Sequence, residues 1–396
     1  MRLLADEGIT YPQGYRAAAV HCGIRKKALD LALIVSDRPA VAAGLFTRNR
    51  CCAAPVIVAR RHLGSKSVRG ILVNSGNANA ATGAAGIHAA ERCLKETARR
   101  LGCAPAQLLV ASTGIIGVPL PVERIIDALD ELVANLSPAN GARAAEAIMT
   151  TDTFPKQRAC SVALRGGTVR LGGIAKGAGM IMPNMATMLA FITCDAQIGR
   201  TRWQRILRQA VQLSFNRITV DGDTSTNDCV FGLANGASGV AVDREEEHTL
   251  YKALEALCIE LAQLIVRDGE GATKFVTVVV EGCRRVREAD AIARTVANSP
   301  LVKTALTGCN PNWGRVIAAA GRAGVAFDPD RLDVYFNDVL TVKNGCAAGV
   351  SKAVLDELFK QKEITIRIVL HEGRASATIW TTDLSHEYVN INVAYS

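Results

Sequence analysis

A short stretch containing glycine, proline and asparagine, residues 177–186, runs directly into an apolar segment, residues 188–191, and Thr187 stands at the junction. Turn-forming residues permit unusual backbone angles, whereas the apolar segment is typical of a buried strand. A cut between Ala186 and Thr187 would give the threonine an α-amine that can serve as general base for its own hydroxyl. The alternative is an ordinary β-branched residue at a strand start, and the pattern alone leaves both interpretations open.

The order of predicted elements indicates an α/β or α+β protein. The 396 residues suffice for two substantial domains, or for one large α/β domain with an appendage. The predicted strands are 29–35, 41–46, 70–73, 108–110, two around Gly166-Gly167, and 275–280. The predicted helices are 87–101, 121–136, 143–149, 203–213 and 246–266, with two more near Ala291 and Val316. A β-rich end is expected after them, with hairpins that turn at 337–338 and 371–373.

Composition and charge argue against several classes of protein. No apolar run is long enough to span a bilayer, and the first residues lack the apolar core of a secretion signal, so we expect a cytosolic protein. The 46 basic and 37 acidic residues give a net charge of +9, but the basic residues are dispersed. We therefore expect no nucleic-acid partner and no membrane partner, and at most some attraction for anionic substrates.

The cysteines and histidines do not form metal-binding patterns. The chain has twelve cysteines without a C-x-x-C pair, and most lie in apolar runs. This distribution favours buried thiols in a reducing compartment over disulfides or zinc. The six histidines are not at ligand spacing, so no metal is expected.

Several loops after buried elements carry side chains suited to a site. Thr113-Gly114 follows a predicted strand and can offer a hydroxyl and a backbone N–H to a developing oxyanion, although a plain strand-to-turn connection fits as well. Lys176 is a single lysine among small residues, and Glu270 lies between two glycines. The acidic loop 221–228 lacks the frame and the closing glutamate of a calcium-binding loop, so we interpret it as structural support.

The segment 183–189, with the sequence Pro-Asn-Met-Ala-Thr-Met-Leu, matches a known pattern residue for residue. With Thr113-Gly114, the block 308–315 and the C-terminal 388–396, it resembles the ornithine acetyltransferase family, also called the glutamate N-acetyltransferase family. These are threonine N-terminal-nucleophile enzymes of arginine biosynthesis, and the resemblance extends from Gly14 to the C-terminus. It implies a layered α/β sandwich of the N-terminal-nucleophile and aminopeptidase type, with a smaller C-terminal α/β region.

The resemblance also implies how the chain matures. Self-cleavage before Thr187 would give an α-chain, 1–186, and a β-chain, 187–396, which stay together and assemble as an (αβ)2 heterotetramer. Thr187 would then be the nucleophile. Thr113 and Gly114 would form the oxyanion hole.

The substrate-binding residues that the resemblance implies are Thr150, with Thr151 a close second, Lys176, Thr187, Glu270, Asn392 and Ser396. Two departures from the family pattern concern binding. Asn310 stands where many relatives have aspartate, and the C-terminus is one residue shorter before its final hydroxyl residue.

The reaction implied is transfer of the acetyl group from N2-acetyl-L-ornithine to L-glutamate, by a ping-pong route through acetyl-Thr187. It requires no metal, nucleotide or prosthetic group, and acetyl-CoA as a second acetyl donor stays open. Two alternatives also stay open: an N-terminal-nucleophile aminopeptidase or amidase, and a binding protein that never cleaves itself.

Overall fold

The computed structural model describes residues 1–182 and 188–394 and divides into two compact units. Unit 1 consists of Met1–Asn216 and Asp223–Ile265, and unit 2 consists of Arg217–Gly222 and the chain from Val266 onward.

Unit 1 contains a nine-stranded sheet and most of the larger helices. Its strands are β1 (Arg2–Leu4), β2 (Tyr15–Val20), β3 (Leu31–Phe46), β4 (Val68–Asn77), β5 (Leu108–Ile115), β6 (Lys156–Leu164), β7 (Gly167–Lys176), β8 (Leu189–Cys194) and β9 (Cys229–Ala234). Its helices are α1 (Ala54–His62), α2 (Gly83–Leu101), α3 (Val122–Ala134), α4 (Gly141–Ala147), α5 (Arg200–Leu213) and α6 (Glu247–Arg267).

The sheet of unit 1 has the strand order β1-β6-β7-β8-β9-β3-β4-β5, and β2 also pairs with β3. Two neighbouring pairs are parallel, β8 with β9 and β4 with β5. Strand β3 is long enough to serve two sets of neighbours: its first part pairs with β2 and β4, and its last six residues pair with β9. The sequence predicts two strands here, 29–35 and 41–46, and the structure corrects this to one continuous strand.

Alternation of apolar side chains gives the sheet two buried faces. In β3, Ala32 and Ile34 belong to one core cluster, whereas Leu31, Leu33 and Val35 belong to another. Helices α2 and α3 cover the second face through apolar residues spaced three or four apart. Helix α4 covers the first face with its alanines.

Unit 2 contains a six-stranded sheet, ordered β13-β12-β11-β14-β10-β15, and five helices in its described part. The elements are β10 (Phe275–Cys283), α7 (Val286–Ala297), α8 (Pro300–Thr307), α9 (Trp313–Gly321), β11 (Asp333–Phe336), β12 (Val339–Lys343), β13 (Cys346–Ala347), α10 (Lys352–Phe359), β14 (Glu363–Val369), β15 (Ala375–Thr382) and α11 (His386–Ala394). Residues of α7 to α10 share one apolar core with the strands.

The end of the chain differs from its sequence-based prediction. The hairpin at 337–338 is confirmed by the antiparallel pair β11–β12. The prediction of a hairpin at 371–373 is wrong, because β14 and β15 do not pair with each other: β10 lies between them and pairs with both. Helices α8, α10 and α11 are not anticipated. In α11 no residue is buried, so its sequence lacks the periodic apolar residues from which a helix can be predicted.

The predicted fold class, a mixed α/β protein with a smaller C-terminal α/β region, agrees with these two units. No helix in the described part of the chain is both long and apolar enough to cross a membrane.

Candidate active site

Three of the predicted site residues meet in unit 1. The Lys176 Nζ donates hydrogen bonds to the Thr150 Oγ1, at 2.6 Å, and to the Thr113 Oγ1, at 3.3 Å. Lys176 is the last residue of β7 and only 8% exposed, so the prediction of a loop lysine is wrong. The strand holds an ammonium group against two hydroxyls, within reach of any group that enters between them.

Asp152 organises this cluster. Its Oδ1 accepts hydrogen bonds from the Lys156 Nζ at 2.6 Å and from the Gly177 backbone N–H at 2.7 Å. Its Oδ2 accepts from the Thr150 N–H at 2.9 Å and lies 3.8 Å from the Lys176 Nζ. One carboxylate therefore fixes both the start of the segment after β7 and the residue that contacts Lys176.

The charges explain why Asp152 stays ionised in a buried position. Burial alone would raise the pKa of its carboxyl, but the charges of Lys176 and Lys156 and their hydrogen bonding lower that pKa well below the usual value. Asp152 thereby holds both ammonium groups in place, and the Lys176 Nζ also contacts the hydroxyls of Thr150 and Thr113.

Thr113 and Gly114 lie near the end of β5, where two backbones approach closely. Strand β5 runs on to Ile115, so the predicted strand end at residue 110 is wrong. Gly114 has a φ of +135°, and a Cβ at this position would lie 2.3 Å from the carbonyl carbon of Gly76. Only glycine fits there without a shift of the backbone.

The part of the loop 221–228 that belongs to unit 1, residues 223–228, supports this strand end. The Asn227 Nδ2 donates to the carbonyl oxygen of Ser112 at 2.8 Å. The Thr224 hydroxyl donates to the carbonyl oxygen of Met182 at 3.1 Å, at the last described residue before the predicted cleavage site. These contacts fit the prediction that the loop is structural support.

Replacing Gly114 by alanine is expected to lower kcat/KM by about 10²-fold or more, because the added Cβ displaces the proposed oxyanion donors. Gly117→Ala is the matched control. Gly117 also has a positive φ, of +84°, but its Cβ would meet no atom within 4 Å. Steady-state kinetics of both variants check this, and equal losses would contradict an oxyanion role for Gly114.

Unit 2 brings together two further predicted residues. The Asn392 Nδ2 of α11 donates a hydrogen bond to the Glu270 Oε2 at 2.8 Å. The Ser385 hydroxyl donates to the carbonyl oxygen of Gly271 at 2.6 Å, and a Cβ on Gly271 would lie 2.5 Å from the Tyr388 nitrogen. The turn that carries Glu270 is therefore packed directly on the C-terminal segment.

Asp383 holds this turn. Its Oδ1 accepts from the backbone N–H groups of Thr273, at 2.8 Å, and of Lys274, at 3.0 Å. Its Oδ2 accepts from the Thr273 hydroxyl, at 2.5 Å, and from the Thr307 hydroxyl, at 3.1 Å. A buried carboxylate with four donors fixes its surroundings firmly, so the backbone that follows Glu270 is well determined.

The predicted cleavage pair Ala186-Thr187 and the predicted contact Ser396 lie outside the described residues. Among residues 1–182 and 188–394, no group of three or more His, Cys, Asp or Glu side chains is placed to hold a metal ion. All twelve cysteines are free thiols. Six of them are buried, fewer than the sequence pattern predicts.

Comparison with known proteins decides the family. The model of the ArgJ family matches residues 16–396. The chain belongs to the ArgJ family. The arginine biosynthesis bifunctional protein ArgJ of Chlorobaculum tepidum is 48% identical over 394 residues, which cover 99% of this chain and 98% of the relative. The protein of the same name from Nitratidesulfovibrio vulgaris is 48% identical over 387 residues, covering 97% and 98%.

A solved structure of the ArgJ family supports the fold. The crystal structure of the arginine biosynthesis bifunctional protein argJ from Bacillus halodurans has a TM-score of 0.51 and is 38% identical. The match covers 53% of this chain and 100% of that chain. The predicted resemblance, the fold class and the classification as an acyltransferase enzyme are thereby confirmed.

Sequence reasoning missed two buried carboxylates that hold predicted site residues in place, Asp152 in unit 1 and Asp383 in unit 2. Asp152 directly follows the candidate residues Thr150 and Thr151, and a lysine four residues later is the one local signal for its ion pair. Asp383 gives no local signal, because its partners Thr273 and Thr307 are far away in sequence.

Proposed function

We propose that this protein transfers the acetyl group from N2-acetyl-L-ornithine to L-glutamate in arginine biosynthesis, after cutting itself between Ala186 and Thr187. The observation that carries the proposal is the cluster of the buried Lys176 with the half-buried Thr150 and Thr113. In this cluster the ammonium group of Lys176, at the end of β7, contacts Thr113 of β5, which carries the proposed oxyanion donors. The chain that follows β7 leads to the proposed nucleophile.

Maturation begins with attack of the Thr187 hydroxyl on the carbonyl carbon of Ala186. The resulting ester is hydrolysed and leaves an α-chain, 1–186, and a β-chain, 187–396. The two chains remain packed because cutting one bond removes no buried apolar surface. The family resemblance supports an (αβ)2 heterotetramer.

Turnover uses the new α-amine of Thr187 as the base. An α-amine has an intrinsic pKa of about 7.7–8.0, so a useful fraction is unprotonated near neutral pH. The hydroxyl attacks the acetyl carbonyl of N-acetylornithine, and the oxyanion is stabilised by the Thr113 hydroxyl and the Gly114 N–H. Ornithine leaves with the proton, and glutamate then takes the acetyl group from Thr187.

Each of two charged side chains suits one group of an amino-acid substrate, in line with the family resemblance. The Lys176 ammonium, next to Thr150, suits a substrate carboxylate. In unit 2 the Glu270 carboxylate, oriented by Asn392, suits the side-chain amine of ornithine. Ser396 completes the proposed contacts by family resemblance.

The chemistry calls for no cofactor, since threonine, amine and oxyanion donors suffice. Acetyl-CoA is a further proposed donor, in line with the bifunctional proteins named among the relatives. We place the reaction in the cytosol, with neither nucleic acid nor membrane as partner.

Incubation with N-acetylornithine and glutamate, then with acetyl-CoA and glutamate, tests the proposal. Mass spectrometry is expected to show N-acetylglutamate with ornithine released in equal amount, and parallel-line ping-pong kinetics in the first assay. Acetate in place of N-acetylglutamate would show an amidase instead. A chain that stays uncut and produces neither compound would show a binding protein.

A further inference from the structure

Asp228 is a buried carboxyl that the reaction described so far does not use. It is 2% exposed, and its Oδ2 has no hydrogen-bond partner in the part of the chain that the structure describes. An unpaired buried polar atom costs about 1–3 kcal/mol. A native protein that keeps such an atom has a reason for it, and a reactive role is one such reason.

Strand register places Asp228 beside Met188, the second residue of the proposed β-chain. In the parallel pair β8–β9, Leu189 lies opposite Cys229, and the Cys229 N–H donates to the Met188 carbonyl oxygen at 3.2 Å. One residue earlier in the same register, Met188 is the neighbour of Asp228. Met188 is bonded covalently to Thr187, the residue whose hydroxyl begins the proposed cleavage.

The surroundings make Asp228 a stronger base than an ordinary carboxylate. Burial raises the pKa of its carboxyl well above the usual value, against the opposing effects of Ser225, the Lys176 charge and the Met188 N–H. A carboxylate with a raised pKa accepts a proton more readily, as general bases in enzymes do.

Self-cleavage needs a base that turnover does not. Before the cut, the nitrogen of residue 187 belongs to a peptide bond and has no basic lone pair. The α-amine that serves as base in later turnover exists only after this bond has broken. The first attack by the hydroxyl must therefore pass its proton to another group.

We propose that Asp228 is the proton acceptor of the self-cleavage step, a role that rests on the proposed function. Its ionised Oδ2 takes the hydroxyl proton of Thr187 as the Oγ1 bonds to the carbonyl carbon of Ala186. The proton then passes to the nitrogen of residue 187 as the C–N bond breaks. This leaves an ester on the Oγ1 and a new α-amine, and restores the ionised Asp228. Water hydrolyses the ester, which releases the Ala186 carboxyl group and restores the Thr187 hydroxyl.

A pulse–chase experiment with the full chain tests this assignment. The wild type, Asp228→Asn and Asp195→Asn are translated in a cell-free system, labelled briefly and followed on denaturing gels. Asp195 is the matched control, because it is also fully buried and burial raises its pKa. Both of its oxygens are occupied, by the backbone N–H groups of Arg170 at 2.8 Å and Gln13 at 3.2 Å.

Asp228→Asn is expected to slow cleavage by about 10²-fold or more, whereas Asp195→Asn cleaves at a rate near that of the wild type. Asp228→Ala adds a readout that lost packing would not produce: added formate should restore part of its cleavage rate. Cleavage of Asp228→Asn at the wild-type rate, or equal slowing in both asparagine variants, would overturn the assignment and leave the proposed function standing. A wild-type chain that never cleaves would instead defeat the proposed function itself.

Discussion

Thr187→Ala is expected to leave a single intact chain and to lower acetyl transfer by about 10⁴-fold or more, because the variant has neither a nucleophile nor a new α-amine. Denaturing gels and N-terminal sequencing report the cleavage, and release of ornithine from N-acetylornithine reports the transfer. Thr187→Ser keeps a hydroxyl and should retain part of both.

The matched control for this loss is Thr193→Ala. Thr193 lies in β8 and is fully buried, and its hydroxyl donates to the carbonyl oxygens of Ile9 at 2.6 Å and of Gly172 at 3.3 Å. Its removal should cost stability but leave cleavage intact. An active Thr187→Ala protein would contradict the proposed mechanism. A Thr193→Ala protein that stays uncut would indicate that any loss of fold stability in this region prevents cleavage.

Asp152→Ala is expected to lower the free energy of unfolding by about 3–5 kcal/mol, because it leaves the ammonium group of Lys156 buried without its carboxylate. The same change removes the acceptor for the Gly177 N–H and the neighbour of Lys176, so the KM for glutamate should rise as well. Denaturant unfolding and steady-state kinetics measure the two effects.

The difference in the free energy of unfolding between the wild type and Asp152→Ala should change with pH in one direction only. The folded protein holds the pKa of Asp152 well below its usual value, so its contribution is complete above the unfolded-state pKa of about 3.9. This difference in the free energy of unfolding should therefore be constant from about pH 5 to 8, and it should become smaller as the pH falls below that range.

Asp37→Ala is the control, since Asp37 forms an exposed ion pair with Arg16 at 2.8 Å. It should change stability little at any of these pH values. If Asp152→Ala lost as little free energy of unfolding as Asp37→Ala, the proposed contribution of the buried Asp152 network to stability would be contradicted.

Local patterns in the sequence were sufficient where an element depends on its own residues. The stripe of α2 and the apolar run of β8 predict those elements directly. The family pattern pointed to Thr113, Thr150 and Lys176. The structure then brings these three into contact through the Lys176 ammonium group.

Long-range pairing is what the sequence could not give. The false hairpin at 371–373 follows local reasoning, whereas the parallel pairing of β10 with β14 joins residues 275–281 to 363–369 across four intervening helices and three strands. Lys176 was assigned to a loop because small residues surround it. Its burial depends on Asp152, a partner 24 positions earlier in the chain. Asp228 has no local signal in the sequence. Its burial, and the lack of a hydrogen-bond partner for its Oδ2 among the described residues, distinguish it in the structure.

The order of strands in unit 1 bears on how a cut molecule would behave. Strands β8 and β9 would come from the second fragment, yet β7 on one side and β3 on the other would come from the first. Six aligned residue pairs join each flank. Two strands of the second fragment would thus lie between strands of the first fragment. Neither fragment could be exchanged between molecules without breaking the sheet. The two fragments would therefore have to fold as one polypeptide before the cut.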